Sequence, residues 1–360
     1  MKPGYLPHIS GMKGMGALIV FIHHFFYCFY PLFLPEGSTT APIEHIPAAN
    51  LLVNGNFAVC LFILLSGYLV ARNAARYDSM DQYGEAVVKR YLRLLIPLAV
   101  AAALSYLLCV LRIYRIHEVS DALGNELTAN YFSVIRFHHL ILSVFLAPFG
   151  YHVLVGPFWM MNYILVGAFL VMGITLVIRR LRPELQLLTI LFVAGLLLYR
   201  EPYYACVMAG MFLYKVGERP MKIPAAARIT AILLFLAAAC WLAADQAGVL
   251  EYDIYKNLLA AFLFVSAVLL STSLRKVFCC RLMDRLGELS LGIYIFHWPV
   301  ICSLSCRLYL GMPLQGKWLL LGFIFIVSLA LTILLAHLYN RWMAPAATSL
   351  QKWALNRLYR

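Results

Sequence analysis

The chain has 360 residues, 63% of them hydrophobic and 12% charged, with a mean hydropathy of +0.82 and a net charge of +13. A soluble domain carries about 25% charged residues, and a chain of this size has no single core able to take so much apolar surface. These values exclude a soluble enzyme and a nucleic-acid module, since no basic cluster is interleaved with stacking aromatics on a polar domain, and the alternating segments of an outer-membrane barrel are absent. What remains is an all-α, polytopic helical bundle, because each membrane span must satisfy its own backbone groups.

At about 20 apolar residues per crossing, the sequence predicts ten spans. The first runs from about Gly14 to Phe33, preceded only by Lys2 and Lys13 and lacking a small-residue cleavage site, so it reads as an uncleaved span. Pro31, Pro35, Gly37 and Pro42 mark its exit. The second covers about Leu51 to Ala71, followed by a polar stretch from Arg72 to Arg93. The third covers about Leu94 to Leu111. The longest connection, Arg112 to Tyr151, holds Asp121, Gly124, Asn125 and the pair His138-His139. Within it, Leu140 to Phe149 is too short to cross and is expected at the membrane interface. Spans four to six are His152–Ile178, Leu185–Tyr199 and Glu201–Val216, the last two joined by a tight turn. Spans seven to ten are Ile229–Ala244, Asn257–Ser273, Leu286–Cys306 and Trp318–Tyr339. With the N-terminus inside, 22 of the 29 Lys and Arg fall on the cytoplasmic side and seven on the other. That bias predicts both termini in the cytoplasm. Neither an inverted repeat nor a solenoid period is present, and the chain reads as one membrane domain over residues 1–345 with a basic cytoplasmic tail over 346–360.

Ionisable side chains are expensive at depth and mark function by default. His24 lies eleven residues after Lys13, about 16 Å along a helix, close to the bilayer midplane. His297 lies twelve residues after Arg285, about 18 Å in. Two spans of the same orientation therefore carry a histidine to similar depth. His23 points about 100° away from His24. A neutral imidazole suits proton transfer near neutral pH, usually with a carboxylate to orient it, yet none lies at that depth. The other reading of each histidine is a plain interhelical hydrogen bond. The second span holds Asn54, Asn56, Ser66, Gly67 and Tyr68, which either line a polar pore or pack helices closely through small residues. Arg90 and Arg93 share a helix face at the inner surface, suited either to phosphate oxygens or to anchoring on anionic lipid. No metal is expected, since H-E-x-x-H and H-x-x-E-H spacings are missing. The nine cysteines show no C-x-x-C and read as small apolar packing residues.

Four segments together resemble the acyltransferase family 3 integral-membrane proteins, which O-acylate carbohydrates and other hydroxyl acceptors. They are Ser10-Gly11-Met12-Lys13-Gly14 through His24, Asn54 through Tyr68, Lys89 to Pro97, and Leu286-Gly287-Glu288-Leu289-Ser290 through Tyr294, His297 and Pro299. Ser10 stands where the family usually has Asp, Lys13 where Arg is commoner, and Ile164 where many members carry Glu. The Arg341–Pro345 stretch lacks the acidic residue often seen before that proline. The resemblance implies a catalytic His24, as base or transient acyl carrier, with Lys13 and His297 beside it. It implies a phosphate-bearing donor held by Lys13, Arg90 and Arg93, and a substrate path lined by Asn54, Asn56, Ser66, Tyr68, Trp159 and Tyr294.

The expectation is a multi-pass plasma-membrane O-acyltransferase. It takes an acyl group, most simply acetyl, from cytoplasmic acyl-CoA to a carbohydrate or lipid-linked acceptor at the outer face. Its partners are then membrane lipid and a glycan or glycolipid, without nucleic acid. The competing expectation is a glycan or lipid-linked sugar exporter with no acyl chemistry.

Overall fold

The computed structural model describes residues 5–35, 47–125, 128, 135–218, 224–244, 253–312 and 317–359. Glu36, Glu44 and Glu251 lie outside these residues, as do Arg219, Lys222 and Arg360. The described chain is helical, without strands, in the order α1 (Pro7–Cys28), α2 (Pro47–Val53), α3 (Gly55–Ala74), α4 (Met80–Val110), α5 (Ile116–Leu123) and α6 (Phe137–Leu146). There follow α7 (Met161–Ile178), α8 (Pro183–Arg200), α9 (Pro202–Gly217), α10 (Ala225–Ala244), α11 (Ile254–Leu270) and α12 (Thr272–Phe278). The last are α13 (Arg281–Val300), α14 (Cys306–Gly311), α15 (Lys317–Leu338) and α16 (Ala344–Tyr359). Short π turns, Ile301–Ser305 and Tyr339–Met343, join α13 to α14 and α15 to α16.

Among the described residues, eight helical stretches are long and apolar enough to cross a membrane. The pair α11–α12, bent by 105°, would make nine. The sequence predicted ten, and the difference is α9: it is a helix, but at 16 residues it is shorter than a standard span. It starts at Pro202, immediately after α8 ends at Arg200, so the chain reverses within one residue. Seven of its 16 residues, all between Ala205 and Leu213, are buried against protein.

Two compact units form. The first comprises Met1–Gly16, Ile43–Val87 and Tyr163–Glu288. Its centre is the crossing of α3 on α9. A Cβ at Gly67 would overlap the Val207 carbonyl, and one at Gly210 the Leu64 carbonyl. Small residues let these backbones touch, which is how helices gain van der Waals contact when lipid gives no hydrophobic drive. The inner half of α1 packs the same way: a Cβ on Gly14 would lie 2.7 Å from the Gly287 nitrogen, and one on Gly287 would overlap Ser10.

The second unit comprises Ala17–Pro42, Val88–Asn162 and Leu289–Arg360. Here α6 lies along α4. Phe137 faces Tyr106 with ring centroids 6.2 Å apart, Phe149 faces Tyr91 at 5.9 Å, and the Tyr91 hydroxyl donates to the Phe145 carbonyl at 3.1 Å. Tyr106 pairs with the start and Tyr91 with the end of the Phe137–Phe149 stretch, so that stretch runs antiparallel to α4. Gly150, at φ +88°, turns the chain back. The segment then reaches Pro157, whose carbonyl accepts the Tyr294 hydroxyl of α13. On the other side of α13, a Cβ at Gly292 would meet Ala336 of α15 at 2.7 Å, and Ser305 and Ser328 hydroxyls bond at 2.6 Å. Phe21 and Phe25 of α1 pack edge-on against Phe325 of α15. The basic tail is the helix α16, tied to α4 by a 3.0 Å bond from the Gln351 side chain to the Lys89 carbonyl.

Candidate active site

The second unit brings the two span histidines together. His24 on α1 and His297 on α13 have ring centroids 4.9 Å apart, and His297 Nε2 lies 3.3 Å from His24 Nδ1. The pairing follows from register. Gly14 touches Gly287, and His24 touches His297; each pair is 273 residues apart in sequence. Parallel helices that meet at glycines keep that offset one further stretch along.

The proton positions follow from the partners. A carbonyl oxygen can only accept, so the nitrogen facing it carries the hydrogen. His297 Nδ1 faces the Tyr294 carbonyl at 2.7 Å and the Ile293 carbonyl at 3.3 Å. His24 Nδ1 faces the Val20 carbonyl at 2.9 Å. In the neutral pair both rings are therefore protonated at Nδ1. His24 Nδ1–H is shared between Val20 oxygen and the lone pair on His297 Nε2. That leaves the lone pair of His24 on Nε2, where no hydrogen bond is made among the described residues. The sequence left the orienter of these rings unidentified; here backbone carbonyls about one helical turn back accept from both Nδ1–H groups.

Packing holds the rings in place. Trp298 is fully buried and meets His24 edge-to-face at 5.2 Å. His23 is buried and meets His24 at 5.0 Å and Tyr27 at 5.9 Å. His297 has no exposed surface, whereas His24 is half-buried, so of the bonded pair His24 is the ring with surface to offer. Tyr294 is buried, with its ring 5.8 Å from His297, and its hydroxyl anchors α13 to the turn at Gly156–Met160 that carries the half-buried Trp159. Trp298 and the orienting carbonyls were not singled out in the sequence; adjacency to His297 was the one signal for Trp298.

Arg90 and Arg93 also lie in this unit, on α4, half-buried and exposed respectively. Pro97, inside the same helix, supplies no N–H to the Arg93 carbonyl. Tyr339, in the π turn after α15, has its ring 6.1 Å from Phe296, the residue before His297.

The remaining predicted residues lie in the first unit. Lys13 is half-buried on α1; eleven residues along one helix place it about 20° around the axis from His24, on the same face. Asn54 caps α3, its oxygen accepting from the Phe57 N–H at 2.8 Å while its amide donates to Asn257 at 2.8 Å. Asn56 accepts from Tyr203 at 2.8 Å. Ser66 is buried, and Tyr68 meets Tyr214 edge-on at 5.8 Å. The geometry at Asn54 and Gly67 is that of helix capping and close packing. Among the described residues no group of three His, Cys, Asp or Glu could hold a metal ion.

The His24–His297 contact thus stands inside a bundle of helices long and apolar enough to cross a membrane. A family model described as an acyltransferase domain matches residues 6–337, nearly the whole chain, and the chain belongs to acyltransferase family 3. It is accordingly a multi-pass membrane acyltransferase. Comparisons with curated proteins and with solved structures returned no match.

Proposed function

We propose that this protein moves an acyl group, most simply acetyl, from cytoplasmic acyl-CoA to a hydroxyl of a carbohydrate or lipid-linked acceptor at the outer face of the plasma membrane. The observation that carries the reading is the Nδ1–H of His24 committed to Val20 and His297, which leaves Nε2 basic. As general base, His24 Nε2 takes the proton of the acceptor hydroxyl while that oxygen bonds to the thioester carbonyl carbon. The carbon–sulfur bond then breaks, and the departing thiolate recovers the proton from Nε2. As acyl carrier, Nε2 bonds to the carbonyl carbon first and the thiolate leaves; the acceptor oxygen then displaces the imidazole from that carbon as its proton passes to the thiolate. Either route puts positive charge on the ring, and the His297 Nε2 lone pair stabilises it through Nδ1–H. This is the base-plus-orienter arrangement of nucleophilic catalysis, with imidazole in place of a carboxylate.

Lys13, Arg90 and Arg93 are the residues suited to the donor's phosphates, since cations at the inner face meet a charged donor before its thioester enters the bundle. Mass spectrometry of surface glycans and lipids tests the proposal. Cells with the wild-type protein should show one acyl mass shift that is missing both without the protein and with His24→Ala. A shift retained in His24→Ala cells would refute the role of His24. Export of an unmodified glycan would favour a carrier without chemistry.

A further inference from the structure

Beyond the histidine pair, α1 and α13 are held at the ends past their histidines by one short segment. The α5 segment begins at Arg115, whose backbone N–H donates to the Cys302 carbonyl at 2.9 Å, inside the π turn that follows His297. It is seated by Ile116 and Val119, both fully buried. It ends at Gly124, whose left-handed φ of +61° stops the helix and swings the next residue inward. That residue, Asn125, is buried, and its side-chain amide donates to the Tyr27 carbonyl at 3.0 Å and the Cys28 carbonyl at 2.9 Å. These belong to the last turn of α1, one turn beyond His24. The Ser120 hydroxyl and backbone oxygen both bond back to Asn125, fixing its position.

We infer that Asn125 is a positioning residue for acyl transfer: with the Arg115 N–H it yokes the two histidine helices at the ends past their histidines and so sets the His24–His297 contact. The activity part of this inference rests on the function proposed above. The yoke itself does not, because Cys28 and Cys306 report on it directly. They lie on α1 and α14 with sulfurs 3.8 Å apart and no exposed surface.

The test is Asn125→Asp, which keeps the shape and loses the amide donor, with Asn125→Gln as the variant that retains a donor. Turnover is read as CoA released from acetyl-CoA in membranes carrying the native acceptor. Thiol protection is read as maleimide alkylation of peptides containing Cys28, Cys306 and, as a control in the other unit, the fully buried Cys206. Loss of two hydrogen bonds predicts about a tenfold fall in kcat, an unchanged KM for acetyl-CoA, and alkylation of Cys28 and Cys306 faster by about the same factor. Cys206 should stay protected, and Asn125→Gln should recover part of both losses. Wild-type turnover or wild-type thiol protection in Asn125→Asp would overturn the inference, as would loss of protection at Cys206, which signals global loosening. If the two thiols open selectively while even the wild-type protein transfers no acyl group, the yoke stands and the acyltransferase mechanism fails.

Discussion

Replacing His297 by Phe isolates the hydrogen bond that the mechanism depends on. Phe keeps an aromatic ring of similar volume in a site with no exposed surface, so the large cavity left by Ala is avoided. It also removes the Nδ1–H bonds to Tyr294 and Ile293, but those carbonyls lie in a continuous helix and keep their ladder partners. What is lost specifically is the acceptor 3.3 Å from His24 Nδ1. In the neutral state that bond is long and shared with Val20, so it contributes little before reaction. Once His24 Nε2 is protonated or acylated, the same bond is made to a charged ring, where such bonds contribute about 1.5–3 kcal/mol. Because the gain appears on the way to the transition state, it should appear in kcat, falling by roughly ten- to a hundredfold, with KM for acyl-CoA unchanged. The assay is CoA release per folded molecule in reconstituted membranes, over a series of acetyl-CoA concentrations. His297→Gln, whose amide oxygen can accept, should recover part of the rate. Full wild-type kcat in His297→Phe would refute the idea that His297 supports the charged form of His24.

Three other substitutions separate site from scaffold. Asn54→Ala removes the α3 cap and leaves the buried Asn257 oxygen without its donor, which should lower stability by about 1–3 kcal/mol; thermal unfolding should shift while turnover per folded molecule does not. Gly287→Ala pits helix propensity, about 1 kcal/mol in favour of Ala, against overlap with Ser10 backbone atoms that no rotamer change can relieve; we expect a net loss of about 1–2 kcal/mol, and a stabilised variant would show that the helices are not so close. Arg93→Ala should raise KM for acyl-CoA with little change in kcat, read from the same CoA-release assay; an unchanged KM would leave Arg93 a lipid anchor.

The parts of this fold legible in the sequence are those set by local periodicity and length. Apolar runs gave the long helices, and residue counts from Lys13 and Arg285 gave a shared depth for His24 and His297, which the structure brings into contact. What stayed hidden is set by tertiary contacts. The α6 helix is too short for the length rule, and its place along α4 depends on Tyr91 and Tyr106. The polar stretch between the second and third spans had no assigned structure before Lys89, yet from Met80 on it is helical and continuous with α4. The partners of Asn54 and Asn56, which are Asn257 and Tyr203, lie far off in sequence and could not be read from it. Asn125 read as part of the long connection from Arg112 to Tyr151; nothing nearby in sequence announces that its amide bonds to the end of α1.

The account stands on transfer of an acyl group across the bundle by way of His24. The direct measurement uses sealed vesicles carrying the purified protein in its cytoplasm-side-out orientation, glycan or lipid acceptor within, and isotope-labelled acetyl-CoA added outside. Label should become covalently bound to the enclosed acceptor with wild-type protein and stay at background with His24→Gln. Equal labelling by the two proteins, or none by either while unmodified acceptor still moves across, would contradict it.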